Sequence, residues 1–189
     1  MKRLAIFVVL GLLSAGIFQA KAQVIESARR SQLSLTAGGM ASYFQPDYYG
    51  NGIPQASVNR IWGIGAYADL RLSRWVQIEG EARWMRLNTY RQISEDNYLI
   101  GPRVPIHRFH RLGATPYAKV LIGLGRMNFE DNDAYGRFTD LAFGGGVDLM
   151  LTKRISIRPF DFEYQDWPNW VNGTLKPYGA SAGVAYKIF

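Results

Sequence analysis

Along Trp62 to Leu72 every second residue is apolar: Trp62, Ile64, Ala66, Ala68, Leu70 and Leu72 share one parity, and Gly63, Gly65, Tyr67, Asp69 and Arg71 share the other. The next stretch repeats the pattern, with Val76, Ile78, Gly80, Ala82 and Trp84 against Gln77, Glu79, Glu81, Arg83 and Met85. A period of two belongs to a β-strand, whose side chains point alternately to opposite faces; a helix repeats every 3.6 residues. Each segment therefore has one apolar face and one charged face. Ser73-Arg74 is so short a connection that the two segments must form an antiparallel hairpin. Soluble and membrane sheets share this alternation, so it does not by itself choose between them.

Six further segments fit the same rule: about Gln32 to Phe44, Asn97 to His107, Tyr117 to Asn128, Thr139 to Leu151, Ile155 to Gln165 and Pro177 to Phe189. In the sixth of the eight, Leu141, Phe143, Val147, Leu149 and Leu151 oppose Asp140, Ala142, Gly144, Gly146 and Asp148. In the last, Tyr178, Ala180, Ala182, Val184, Tyr186 and Ile188 oppose Gly179, Ser181, Gly183, Ala185 and Lys187. The seventh changes phase near Pro159, where a bulge would bring Arg158, Asp161, Glu163 and Gln165 onto one polar face. The fourth is weakened by Pro102 and Pro105, each of which removes a ladder donor.

Met1 to Ala22 reads as a secretory signal: Lys2 and Arg3, an apolar run from Leu4 to Leu13, and a small-residue cleavage site at Ala20-Lys21-Ala22. The apolar run is too short for a spanning helix, which needs about 20 residues. Cleavage leaves residues 23–189 as one domain starting at Gln23, with 19 basic against 15 acidic residues and a net charge of +4 instead of +7. That is too mild a bias for nucleic-acid binding. Cysteine is absent, which excludes a disulfide framework and thiolate metal sites. No apolar run after the signal is long enough for a membrane helix, so a mature chain in a membrane must cross it with strands.

Connection lengths alternate. Ser73-Arg74 and Thr152-Lys153-Arg154 are tight and Arg108 to Pro116 is moderate, whereas Gln45 to Asn59, Leu87 to Asp96, Phe129 to Phe138 and Asp166 to Lys176 are longer and rich in Asn, Asp, Gly, Pro and Tyr. Transmembrane barrels have short periplasmic turns and long extracellular loops, and an even number of strands puts both termini in the periplasm.

The C-terminal Ser181-Ala-Gly183-Val-Ala-Tyr186-Lys-Ile188-Phe189 resembles the assembly signal of bacterial outer-membrane barrels: a polar residue, a Gly two later, then spaced hydrophobic or aromatic residues near a terminal Phe. Ile188 keeps the apolar parity here and Phe189 falls one step beyond it. With the export signal and eight segments, the mature chain resembles the OmpA/OmpX-like family of small outer-membrane β-barrels. The resemblance implies an all-β, eight-stranded antiparallel up-and-down transmembrane barrel in the bacterial outer membrane. It implies contact with outer-membrane lipid and lipopolysaccharide, and handling by the barrel assembly machinery during biogenesis. Larger OmpA relatives append a peptidoglycan-binding domain; this chain ends at Phe189 with its last strand, so cell-wall anchoring is not expected.

Charged residues on the lipid side cost several kcal/mol near the midplane, so the apolar faces should meet lipid and the charges the lumen. An eight-stranded barrel has an interior that side chains can fill. Asp69, Glu79 and Glu81 with Arg71, Arg83, Arg103 and Arg158 then form a lumen charge network, either a structural plug or a gated ion path. Trp62, Trp84, Tyr164, Trp167, Trp170 and Tyr178 at the long-loop ends and Trp75 at a short turn suit interfacial girdles. Tyr43, Tyr48 and Tyr49 in or near the first loop are candidates for a contact surface to an unidentified extracellular partner.

No catalytic, cofactor or metal site emerges. Enzymes of this architecture, the lipid A deacylases and palmitoyl transferases, need a Ser nucleophile with a His base, but His107 and His110 lie beside a periplasmic turn and no His-x-Ser signature occurs. Gly63-Ile-Gly65 and Gly144-Gly-Gly146 lack the third Gly and the helix of a dinucleotide loop. Glu130-Asp-Asn-Asp133 lacks EF-hand spacing, and Asn172-Gly-Thr174 is discounted as a glycosylation acceptor in a bacterial outer membrane. Three functions remain: a structural and interaction barrel without turnover, a narrow pore, and a secreted lipocalin-like barrel with its faces inverted to hold an apolar ligand.

Overall fold

The computed structural model describes residues 33–46, 60–88, 93–109, 112–129, 134–170 and 173–189. The expected signal segment 1–22, residues 23–31, Tyr48, Tyr49, His110, Glu130 to Asp133 and Asn172 lie outside them. Among the described residues the strands are β1 (Ser34–Gln45), β2 (Ile61–Arg71), β3 (Gln77–Asn88), β4 (Ile93–Pro105), β5 (Ala114–Phe129), β6 (Ala134–Met150), β7 (Ile155–Trp170), the short β8 (Gly173–Leu175) and β9 (Tyr178–Lys187). From β1 to β7 each strand pairs antiparallel with the next, and β9 pairs with both β7 and β1. Eight long strands therefore close into an up-and-down barrel with no open edge. Closure gives each of the eight strands two paired neighbours, the condition for a sheet in lipid.

The seam between first and last strands is in register over its whole length, from Thr36 opposite Lys187 to Gln45 opposite Tyr178. At its centre Ser42 and Ser181 face each other inside the barrel, with their hydroxyls 2.8 Å apart. Beyond the end of β9, Ile188 donates its N–H to the Leu35 carbonyl and Phe189 accepts one from Leu35.

The β7 bulge is present. Arg158 pairs with Gly183 and Asp161 with Ser181, so β7 carries one extra residue at Pro159. Pro159 and Phe160 are both exposed, and the extra step puts Arg158, Asp161, Glu163 and Gln165 all inside. A second shift lies between Trp62 and Gly63 opposite β3, where Arg86 and Leu87 both turn outward. The fourth strand forms despite its prolines: Pro102 stands opposite Ile78 of β3, and the β4–β5 pairing lapses only between Ile100 and Arg103. There the backbones approach so closely that a Cβ on Gly101 would come 2.1 Å from the Val120 carbonyl oxygen.

Two of the turns at the end where β1 begins and β9 ends use one device. Ser73 Oγ accepts the N–H groups of Trp75 and Val76 at 3.2 and 3.1 Å, and Thr152 Oγ1 accepts those of Arg154 and Ile155 at 3.2 and 2.9 Å. These hydroxyl turns close the chain reversal within a few residues. The first runs from Leu72 to Val76, longer than the Ser73-Arg74 step read from the sequence. The moderate turn includes Gly113 at φ 62°, a left-handed conformation that favours glycine.

The outer wall is apolar along its middle, with Ile64, Ile100, Ile122, Phe160 and Val184 all more than half exposed. Trp62, Tyr164 and Tyr178 are exposed at the long-loop end and Trp75 at the turn end, as a girdle requires. Trp84 also lies on the outer side and donates its indole N–H to the Tyr98 hydroxyl at 3.1 Å. Trp167 departs from that expectation: it is fully buried and packs with Ile93, Met127, Phe138 and Leu175. The reason is the bulge, which moves the odd residues of β7 inside. No Cβ is present at Gly125 to obstruct the indole, whose nearest atom would be 2.4 Å from one. The Trp170 side chain lies outside the described residues.

Candidate functional site

The lumen concentrates the charges that strand parity points inward. From β3 come Glu79, Glu81 and Arg83; from β7, Arg158, Asp161 and Glu163; from β5, Lys119; from β4, Arg103; from β2, Asp69. All are buried. Asp148 of β6 joins them from a partly exposed position toward the turn end.

Lys119 stands at the centre. Its Nζ lies 3.1 Å from Glu79, 2.8 Å from Asp161 and 3.1 Å from Glu163, and it also bonds Glu81. Toward the turn end Arg158 reaches Glu79 at 2.9 Å, Asp69 and Asp148 at 3.1 Å each, and Asp161 at 3.3 Å. Arg103 pairs with Asp69 at 2.9 Å and with Asp148, and donates to Gln77 Oε1 at 2.9 Å. Toward the loop end Arg83 holds Glu163 by two parallel bonds of 2.6 and 2.9 Å and also pairs with Glu81. Such a bidentate pair is strong because both N–H groups align with both oxygens.

Aromatic rings complete the packing. Arg103 lies 3.7 Å over the Tyr117 ring, Arg158 3.9 Å over Tyr67, and Arg83 5.1 Å over Phe44. Above the ion pairs, Asn97 donates to Asp140 at 2.9 Å and to Gln165 at 3.2 Å, and Trp167 donates to Gln165 at 3.1 Å. Two apolar clusters sit at the loop end, one around Trp167 and one of Phe44, Ile61 and Met85. From the turn end upward the interior thus runs from ion pairs through a layer of amides and the buried carboxylates of Asp140 and Glu95 to hydrophobic caps.

Of the residues singled out in the sequence, Asp69, Glu79, Glu81, Arg83, Arg103 and Arg158 converge here. Arg71 does not: it has inward parity but is exposed at the mouth, because β2 ends there. Lys119 is the central cation that sequence reading missed. It is the lone charge between Tyr117 and Leu121, so its strand lacks the charged face that marks β3; the apolar parity of Val120, Ile122 and Leu124 was the available signal. Ser181 is buried at the seam, Gly183 lies beside it, and Tyr186, Ile188 and Phe189 are exposed on the outer side.

Carboxylate oxygens of Glu79, Glu81 and Asp161 come within 4.8 Å of one another, close enough to share a cation. The Lys119 ammonium bonds all three, so the cradle is occupied by the chain's own charge. A groove of about 650 Å³ is lined mainly by small residues, Ala37, Ala66, Ala68, Gly80 and Ala82, with Tyr67, Glu81, Tyr98 and Ile100 also lining it. His107 is exposed and packs on Phe109. The apolar wall and charged lumen are the reverse of what a lipocalin-like carrier requires.

A family model described as outer membrane protein beta-barrel domain matches residues 8–187. No curated protein sequence matches the chain. Among solved structures the fold is similar to Neisserial surface protein A (NspA), with TM-score 0.59 and 13% identity over 82% of this chain and 97% of that one. It is also similar to the N-terminal β-barrel domain of Pseudomonas aeruginosa OprF, with TM-score 0.57 and 12% identity over 83% and 98%. The outer membrane protein OprG of Pseudomonas aeruginosa gives TM-score 0.53 and 13% identity over 84% and 96%.

Proposed function

Because the chain belongs to the outer membrane protein β-barrel domain family and its place is the bacterial outer membrane, we propose that it is a non-enzymatic barrel, plugged to ions, with a structural and interaction role. The observation that carries this reading is the buried ion-pair network around Lys119, which spans the lumen from β3 to β7. A narrow, water-poor interior favours pairing of such charges over ion passage, since a permeant ion would have to displace bonds among groups already out of water. The loops present the outward surface for an extracellular partner, the wall meets lipid and lipopolysaccharide, and Ser181, Gly183, Tyr186, Ile188 and Phe189 serve as the signal read by the assembly machinery.

Planar-bilayer recording on purified, heat-modifiable protein tests the plug. The expected result is a baseline without discrete openings for the wild type. Steps whose ion selectivity inverts on Glu79→Lys or Arg83→Glu would replace the plug with a pore.

A further inference from the structure

The end of the barrel where β1 begins and β9 ends has a cationic rim. Arg71, Arg74, Arg108, Lys153, Arg154 and Lys187 are all exposed there. Residues 71–76, 106–113, 151–154 and 187–189 contain no Asp or Glu. The lumen carboxylate toward this end, Asp148, is already held by Arg103 and Arg158. Toward the opposite end the strand ends carry Asp96 and Asp166 and the connecting sequences Asp47, Glu130, Asp131 and Asp133 among their cations, so the one-sign charge belongs to a single end of the molecule.

Apolar side chains interleave with these cations. Leu72, Trp75, Ile106, Phe109, Leu112 and Leu151 are all exposed, Leu112 at 75% and Trp75 at 60%. The Arg74 guanidinium lies 5.0 Å over the Trp75 ring. A surface for the carboxylates of a peptide or a glycan does not call for bare leucines and aromatics between its charges. A lipid interface does, because apolar side chains enter the acyl region while Lys and Arg reach back to the headgroups. Guanidinium groups also suit phosphate, which they bind through paired N–H donors.

We propose that this rim docks anionic phospholipid headgroups of the periplasmic leaflet, its cations pairing with phosphate and its interleaved apolar residues lying among the acyl chains. The first strand begins and the last strand ends here, which an even-stranded outer-membrane barrel keeps in the periplasm, so the lipid concerned is that of the inner leaflet.

The test is electron paramagnetic resonance of spin-labelled phosphatidylglycerol and phosphatidylethanolamine, with the full-length barrel in nanodiscs made of both lipids. Wild-type protein should hold phosphatidylglycerol preferentially, by about fivefold or more, the effect expected of even one basic residue at an anionic surface. The triple variant Arg74→Gln, Arg108→Gln, Lys153→Gln should lose most of that preference while keeping its heat-modifiable migration. The pair Arg60→Gln, Arg137→Gln at the loop end should keep the preference. Equal association of the two lipids with a folded wild-type barrel overturns the proposal, as does a preference that survives the triple variant. Wild-type binding to isolated peptidoglycan sacculi that the triple variant abolishes, without a headgroup preference, also overturns it and assigns the rim to the cell wall.

Discussion

Lys119 is the residue on which the lumen charges converge, because its ammonium meets carboxylates from β3 and β7 at once. Replacing it with methionine leaves Glu79, Glu81, Asp161 and Glu163 facing one another without their shared cation. Breaking a buried pair in this way costs about 3–5 kcal/mol. Equilibrium urea unfolding of Lys119→Met in lipid vesicles should show that loss, and a change below about 1 kcal/mol would mean that the network contributes little. Trp167 offers an independent check at the loop end, since its burial in the cap predicts a cost of about 3–5 kcal/mol for Trp167→Ala. Were Trp167 an interfacial girdle residue, its truncation would instead change membrane insertion with only a small change in unfolding free energy.

At the scale of the strand, β7 depends on one inserted residue. Deleting Pro159 would shift one half of the strand by a step, and a one-step slip sends every side chain to the other face. Either Ile155 and Ile157 turn inward with Arg158 toward lipid, or Asp161, Glu163 and Gln165 turn outward. The deletion variant should therefore lose the gel shift on boiling that the wild type shows, whereas Pro159→Ala, which keeps the residue count, should retain it. Strand β5 gives a graded version of the same test: Ile122→Arg places a charge on the lipid-facing wall. Its expected cost is about 2–4 kcal/mol near the midplane, read by the same unfolding measurement.

For the whole molecule, closure between β1 and β9 removes the last sheet edge and seals the ion pairs from water. Buried pairs are screened far less than exposed ones, so raising sodium chloride from about 0.1 to 1 M should leave the unfolding midpoint nearly unchanged. A steep salt dependence would show that water and ions enter the lumen. The strands themselves were legible because parity is local: Glu79, Glu81 and Arg83 declare their face from their own neighbours, and so do Ile122 and Leu124 opposite Lys119. The bulge was legible for the same reason, since Pro159 interrupts a parity that resumes at Asp161. Strand number and the polarity of the two faces thus followed from the sequence alone, whereas the loop lengths did not: β3 and β4 extend to Asn88 and from Ile93, and β5 and β6 to Phe129 and from Ala134, through most of what the sequence reads as long loops. Which charges meet did not follow either. Lys119 lies 40 residues from Glu79 and 42 from Asp161, and only the stagger of a closed barrel brings their strands to one level across the lumen. Trp167 follows Asp161, Glu163 and Gln165 inward by the parity that the bulge resets, but the space beside Gly125 that receives its ring, and the strand end that leaves Arg71 at the mouth, are properties of the packed barrel and of no local pattern.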